Sequence, residues 1–211
     1  MPYVIPPDTH VPGDLGHTTD HNNMSDVFAA LDNAYLSSYQ APTGATAETQ
    51  PRGLCTNQGN IQTSGTLYVR AISMKQNTVV NNITFAVDAT VEAAGTHGWY
   101  VLLDSGRVVR AVTADQTGAA FWGAANTLVT LPTNAYTTAY SGLYYVGVMV
   151  AATTPPRFTC GIATATALVG AAPVLYGTSS TGQTTPPTTG TTMAALVSAG
   201  ASNWNFYAYT S

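Results

Sequence analysis

Three side chains near the amino terminus have the types and the spacing of metal ligands: His17, Asp20 and His21. Two histidines four positions apart can share one face of a helix, and imidazole together with carboxylate suits zinc. We expect His17 to precede the helix, however, and no further His or Cys lies close to this group. The sequence therefore predicts that no metal or other cofactor is bound, and that these side chains cap the helix and make polar contacts with the segment before it.

The carboxylates further along the chain are the next candidates for chemistry. Asp88 and Glu92 share one face of a predicted strand, but four residues of strand separate them by about 13 Å. Glycosidases use a carboxylate separation of about 5–9.5 Å. The chain has neither a Gly-x-Ser-x-Gly nucleophile motif nor a glycine-rich phosphate loop. A pair formed across strands with Asp104 or Asp115 stays open, and the sequence otherwise predicts a protein without enzymatic activity.

Aromatic side chains are the stronger indication of a binding function. Flat aromatic faces suit sugar rings and protein partners, although large aromatics also fill β-sandwich cores. Trp122 lies between Gly118 and Gly123, in a predicted loop, and is the first candidate for an exposed contact with glycan or protein. Tyr136 and Tyr140 are the other two candidates. The full aromatic set considered is Trp99, Tyr100, Trp122, Tyr136, Tyr140, Tyr144, Tyr145, Trp204, Tyr207 and Tyr209.

The charge of the chain is low and unevenly distributed. Charged residues make up 8% of the 211 residues, against roughly 25% in ordinary globular domains. Residues 52–211 carry a net charge of +2, and they lack the basic stripe that nucleic acid requires. Residues 1–51 contain no Lys or Arg. Their six acidic residues are Asp8, Asp14, Asp20, Asp26, Asp32 and Glu48. We therefore predict no nucleic-acid partner, and a basic protein surface as the partner of the amino-terminal part.

The first 16 residues are predicted to be an extended arm that anchors the protein to this partner. Four prolines and two glycines in residues 1–16 prevent a regular helix. Apolar and acidic side chains along the arm could dock into a groove on another chain. The residues expected to make this contact are Tyr3, Val4, Ile5, Asp8 and Asp14.

One short amphipathic helix follows the arm. Apolar residues recur at the spacing of three and four that places them on one helical face. This face also fits a heptad pattern, so three copies could pack around an axis, or one helix could lie on its own β domain. Both arrangements stay open at this point. The residues of this face that would form an oligomer contact are Met24, Val27, Leu31 and Ala34.

From residue 66 onwards the sequence predicts a mainly β protein. Apolar residues alternate with polar ones, as in half-buried strands, and Asp104-Ser105-Gly106 has the composition of a hairpin turn. Many short strands with Gly-, Thr- and Pro-rich connections favour an antiparallel, jelly-roll-like β-sandwich. The predicted strands are residues 66–73, 83–91, 98–104, 107–113, 143–150, 158–163 and 204–209.

The predicted organisation is an arm with its helix at residues 1–39, a linker at 40–65 and a β-sandwich knob at 66–211. Residues 177–190 have nearly low complexity and are predicted to pack as a loop on the sandwich or on a neighbouring subunit. Cys55 and Cys160 are expected to be free thiols in a reducing cytoplasm, although a bridge between them stays open. Residues 1–7 lack the features of a secretory signal, and the apolar run 143–152 is too short to span a membrane.

Four segments carry a resemblance to a known class of proteins. They are Gly-His-Thr-Thr-Asp-His-Asn-Asn at 16–23 before the helix, Gly-Trp-Tyr-Val-Leu-Leu-Asp-Ser-Gly at 98–106, Tyr-Ser-Gly-Leu-Tyr-Tyr-Val-Gly at 140–147 and Gly-Thr-Ser-Ser-Thr-Gly at 177–182. Together they resemble small virion proteins of tailed bacteriophages, particularly phages of actinobacteria. Such proteins are minor tail proteins, fibre tips or capsid decoration proteins.

The resemblance implies a β-rich and often trimeric component of the virion, and it implies no catalytic residues. We therefore expect a structural protein made in the host cytoplasm, present in the virion as a homotrimer and attached to a major capsid or tail protein. The alternative is a receptor-binding module that recognises a glycan on the host cell surface.

Overall fold

The computed structural model describes residues 41–55, 57–59, 62–117, 121–161, 171–198 and 205–211. The chain divides into two units, Met1–Gln40 and Ala41–Ser211, and only residues of the second are described. The predicted arm, the predicted helix and the group His17, Asp20 and His21 lie outside the described residues. The predictions made for them stay predictions.

Strands and one short 3-10 helix, Arg52–Leu54, make up the regular structure of the described residues. Numbered in chain order, the strands are β1 (Ala47–Glu48), β2 (Asn57–Gln58), β3 (Thr66–Met74), β4 (Val79–Val87), β5 (Ala93–Asp104), β6 (Val109–Val112), β7 (Thr127–Thr137), β8 (Gly142–Thr154), β9 (Thr159–Cys160), β10 (Tyr176–Thr178), β11 (Val197–Ser198) and β12 (Ala208–Thr210). The prediction of a mainly β protein is confirmed.

The strands form two main sheets and one small one. The first sheet has the order β1-β12-β4-β7, the second has the order β11-β10-β3-β8-β5-β6, and β2 pairs with β9. Every one of these pairings is antiparallel, as predicted. Strand β8 lies between β3 and β5, and residues 144–152 are buried throughout. Its apolar run therefore has the central position that the sequence indicated.

The main core lies between the two large sheets. Alternate residues of β4, among them Ile83, Phe85 and Val87, pack against alternate residues of the second sheet, such as Tyr100 and Val146. These side chains are almost completely buried. Successive side chains of a strand point to opposite faces of its sheet, and this alternation produces the apolar face of β4. The strand predicted at 83–91 ends at Val87 in the structure. Beyond it, the Ala89 N–H donates to the Asp88 carboxylate and not to a neighbouring strand.

The second face of the six-stranded sheet is buried as well. Residues of opposite alternation, including Trp99, Val101 and Met149, form a second cluster on this face. Met193 and Leu196 pack against it, and both belong to residues 179–196, which we call the threonine-rich strap. A strand that is apolar on both faces requires cover on both sides, and the strap supplies part of that cover.

Backbone hydrogen bonds hold the strap in place along the sheet. Gln183 N–H donates to the Gly65 carbonyl oxygen at 2.8 Å, and Leu67 N–H donates to Ser180 at 2.8 Å. Near the other end of the strap, beside the turn that leads into β6, Met193 N–H donates to the Arg107 carbonyl oxygen at 3.0 Å. The low-complexity segment therefore packs on its own β domain, which is the first of the two predicted alternatives.

The segment predicted as a linker contributes to the first sheet. Strand β1 pairs with β12. On either side of β1, Thr46 N–H donates to Thr210 at 2.7 Å and Thr49 N–H donates to Ala208 at 2.9 Å. Residues 46–49 thus belong to the β domain rather than to a separate connection, because they occupy the edge next to β12.

Candidate functional site

One corner of the sandwich gathers aromatic and charged side chains from four places in the chain. The end of β5, strand β6, the end of β7 and the start of β8 with the loop before it each contribute. We call the group Asp104, Arg110, Tyr136, Tyr140 and Tyr144 the tyrosine patch. Tyr136 and Tyr140 were predicted as contact residues, and the structure places both rings beside the ring of Tyr144.

Tyr140 is the best-fixed member of the patch. Its ring stacks on the ring of Tyr144 with a centroid distance of 4.6 Å and an interplanar angle of 16°. Its hydroxyl oxygen accepts the Ser105 N–H at 2.9 Å and donates to the Leu143 carbonyl oxygen at 3.0 Å. The Tyr140 side chain itself is half-buried. One ring face is therefore covered, and the hydroxyl is held, while part of the side chain faces solvent.

Tyr144 forms the floor of the patch. Its side chain is fully buried, and its hydroxyl donates to the Tyr140 carbonyl oxygen at 3.3 Å. Burial, together with a hydrogen bond to Tyr136, raises the pKa of Tyr144 to about 12. The Tyr136 ring lies 6.5 Å from the Tyr144 ring and is tilted by 59°. Tyr144 is consequently neutral and packs as a core residue at all ordinary pH values.

Arg110 and Asp104 form an ion pair at the edge of the patch. Nε and Nη2 of Arg110 lie 2.9 and 2.7 Å from Oδ2 of Asp104, and the Arg110 side chain is 40% exposed. Oδ1 of Asp104 accepts the Val108 N–H at 2.9 Å, which closes the turn between β5 and β6. The hydrogen bond to Asp104 raises the pKa of Arg110, and the nearby phenols of Tyr136 and Tyr140 raise it further. The guanidinium is thus a fixed, charge-compensated donor beside the two tyrosines.

Sequence reasoning missed Asp104, Arg110 and Tyr144 as members of this group. The turn composition at 104–106 predicted the hairpin, and a hairpin places Asp104 near Arg110. The chain carries no local signal, however, that residues 136–144 pack against this turn.

The prediction that Trp122 is an exposed contact is wrong. Its side chain is 1% exposed, and its indole N–H donates to the hydroxyl of Tyr100 at 2.7 Å. The loop folds back over β5, so that the ring lies against Gly98, where a side chain would overlap it. Gly98, directly before the bulky run 99–103, was the one signal in the sequence for this close approach.

The carboxylates of the β domain are held by separate partners rather than paired with one another. Glu92 is buried and accepts the Trp122 N–H at 3.1 Å, and burial raises its pKa. Asp115 accepts the Gly98 N–H at 3.0 Å and lies 2.7 Å from Nδ1 of His97. The contact between His97 and Asp115 was not predicted, because 17 residues separate them in the sequence. Within the described part of the chain, no three His, Cys, Asp or Glu side chains form a group that could hold a metal.

No disulfide joins Cys55 and Cys160, in agreement with the expectation from the sequence. Cys160 is buried, and Cys55 is half-buried with its sulfur 3.1 Å from Nε2 of Gln50. Burial raises the pKa of both thiols, that of Cys160 to about 11. Neither side chain therefore has the depressed pKa of a reactive nucleophile.

Comparisons of the chain with models of known protein families, with curated proteins and with solved structures find no match. The chemistry of the chain's own residues, in the sequence and in the described part of the structure, is therefore the basis for any statement about function. None of these residues belongs to a helix with the length and apolar character needed to cross a membrane.

Proposed function

We propose that this protein is a non-enzymatic structural component of a tailed phage particle, made in the host cytoplasm and attached to a major capsid or tail protein by residues 1–39. The observation that carries the proposal is the separation of charge along the chain. Six acidic residues and no basic ones lie in residues 1–51, whereas residues 52–211 carry a net charge of +2. A segment of one charge sign suits a partner surface of the opposite sign.

The described β domain fits the outward-facing part of such a component. Both faces of its six-stranded sheet carry apolar packing, and its exposed residues are mostly Thr and Ala, with Gly, Ser and Asn. A surface with few charges, hydrated by hydroxyls and amides, is compatible with close packing in a large assembly. We propose a jelly-roll-like connectivity for this domain and a trimer formed around the helix face at Met24, Val27, Leu31 and Ala34.

Removal of residues 1–16 tests the anchor. The truncated protein is expected to lose incorporation into particles, because Tyr3, Val4, Ile5, Asp8 and Asp14 would supply the docking contacts. Incorporation is measured by immunoblotting of purified particles that assembled with the truncated or the full-length protein. A full-length Asp8→Asn, Asp14→Asn variant isolates the charge contribution and should load less well, with a deficit that narrows as the salt concentration rises.

The control is the folded state of each variant, measured by circular dichroism and thermal unfolding. Truncated protein that unfolds at the same temperature as the full-length chain and yet loads to the same level would contradict the anchor. Equal loading of the double asparagine variant at low salt would contradict its electrostatic part alone.

A further inference from the structure

The tyrosine patch has the geometry of a rigid platform for a flat ligand. Tyr144 covers one face of the Tyr140 ring, and the two hydrogen bonds of the Tyr140 hydroxyl prevent the ring from turning away. Tyrosine supplies a large contact area for little loss of side-chain entropy, and here that loss has already occurred on folding. A ligand that packs on the outer part of Tyr140 therefore meets a surface that needs no rearrangement.

The polar groups at the platform are hydrogen-bond donors, and Asp104 cancels the positive charge of the donor Arg110. Two of the five guanidinium N–H groups of Arg110 point at Asp104, and the others stay available. The carbonyl oxygen of the Asn134 side chain accepts the Val112 N–H at 2.8 Å, which leaves its exposed NH₂ group free to donate. Because Asp104 compensates Arg110, the patch favours a neutral ligand with several acceptor oxygens over an anion.

An apolar protein segment suits the patch less well. In the described part of the chain, the large apolar side chains that stay exposed are Leu54, Val79, Leu128, Leu175 and Val197, and none belongs to the patch. Ser105 donates to the Tyr140 hydroxyl, and Asn134 and Thr137 lie close to Tyr136 along β7; all three are exposed polar residues. The centres of protein interfaces are usually apolar, with aromatic anchors in closed pockets.

We propose that the tyrosine patch binds an uncharged carbohydrate, with one sugar ring packed on Tyr140 and its hydroxyls accepting hydrogen bonds from Arg110 and Asn134. Tyr136 forms the side wall. This site goes beyond a structural role in a particle and does not depend on it. In a trimer, three such weak sites acting on one multivalent ligand would bind it more tightly than one site alone.

Binding of neutral oligosaccharides to the full-length protein tests the site. The probes are tetrasaccharides of glucose, galactose, mannose and N-acetylglucosamine, with uronic-acid tetrasaccharides for comparison, each titrated and followed by ligand-observed NMR. We expect at least one neutral probe to bind and the acidic probes to bind more weakly. Tyr140→Ala should weaken the neutral probe at least about tenfold, whereas Tyr140→Phe, which keeps the ring, should weaken it less.

One further variant keeps the test decisive if Tyr140→Ala fails to fold, and another serves as a control. Asn134→Asp retains the acceptor for the Val112 N–H and removes the proposed donor, so it should weaken binding without disturbing β6. Tyr209→Ala removes a half-buried tyrosine on β12, in the other sheet, and should leave binding unchanged. The proposal is overturned if no neutral probe binds, if acidic probes bind more tightly, or if folded Tyr140→Ala, or Asn134→Asp where Tyr140→Ala does not fold, leaves the affinity of every bound probe unchanged.

A protein-binding role of the patch would give a different result. In that case the oligosaccharides would not bind, and Tyr140→Ala would reduce incorporation into particles. This outcome would overturn the carbohydrate site while supporting the structural function. Conversely, sugar binding by a protein that never enters particles would overturn the structural function and leave the carbohydrate site intact.

Discussion

Individual side chains in this protein are held by partners that lie close in space and, in several cases, far apart in sequence. Tyr140 is fixed by Tyr144, Ser105 and Leu143, and Trp122 by Tyr100. Glu92 is a buried carboxylate that accepts hydrogen bonds from the backbone of Trp122 and Phe121. Its ionised form is therefore less favourable in the folded protein than in the unfolded chain, since burial outweighs the hydrogen bonds from Trp122 and Phe121.

The contribution of Glu92 to stability is predicted to fall as the pH rises. Because burial raises its pKa, the folded protein retains the Glu92 proton over a pH range in which the unfolded chain has released it. Its contribution is greatest below the ordinary carboxyl pKa, and it is lost as the pH rises through the raised pKa of the folded state. Each unit of pKa difference corresponds to about 1.4 kcal/mol. Glu92→Gln removes this dependence.

The measurement is the free energy of unfolding by urea of the wild type and of Glu92→Gln between pH 4 and pH 7. The free energy of unfolding of the wild type minus that of the variant should decrease as the pH rises. The absolute size of this difference does not matter to the test. Glu48 provides an independent repeat, because burial also raises its pKa and Tyr207 donates to it at 3.0 Å. A difference that rises with pH, or that stays constant, would contradict the assignment.

At the scale of elements, β5 depends on Gly98 for its contact with the loop that carries Trp122. A methyl group at position 98 would overlap the Trp122 ring, and this ring is almost completely buried under the strand. The next two residues, Trp99 and Tyr100, face opposite sides of the sheet and belong to different clusters. Gly98 thus lies where two layers approach more closely than a side chain permits.

Gly98→Ala is predicted to lower the free energy of unfolding by about 1–3 kcal/mol, the usual cost of overpacking a core. Gly53→Ala is the matched control, because nothing lies within 4 Å of the added methyl group and the change should stay within about 0.5 kcal/mol. Urea unfolding measures both. A smaller cost of Gly98→Ala in a Trp122→Leu background would show that the ring is the obstacle, whereas equal effects of the two alanine variants would contradict the close contact.

For the whole molecule, the open question is how many copies assemble and through which part. The proposed trimer depends on the apolar face of the helix that the sequence predicts at residues 24–34, a segment with barely two heptads, which is too short to associate stably alone. The β domain, or the particle, must therefore contribute to assembly.

The native mass of the full-length protein tests the trimer. Light scattering is expected to give three times the mass of one chain, and Leu31→Asp should reduce this mass by placing a charge on the apolar face. Asn33→Asp introduces the same group on the predicted polar face and should leave the mass unchanged. A wild-type monomer would contradict a trimer in free solution, and equal masses for all three proteins at the trimer value would contradict the role of the helix.

Local patterns in the sequence were sufficient for much of the β domain. Period-two alternation identified β4, the long apolar run identified β8 as central, and the turn composition at 104–106 identified the hairpin of β5 and β6. These features depend on neighbouring residues alone, because strand periodicity and turn chemistry are local properties. Two of the three predicted contact residues, Tyr136 and Tyr140, also lie in the tyrosine patch.

Only the tertiary structure determined which side chains meet. The separation of charge, the shortage of ionic side chains and the strand periodicity are fixed by the amino-acid sequence itself. The burial of Trp122, the packing of the threonine-rich strap on the outer face of the sheet, and the approach of Tyr140 to Ser105 each depend on how distant strands pair. These contacts join residues far apart in sequence, and their energies depend on sheet order and register, which no short segment of the chain specifies.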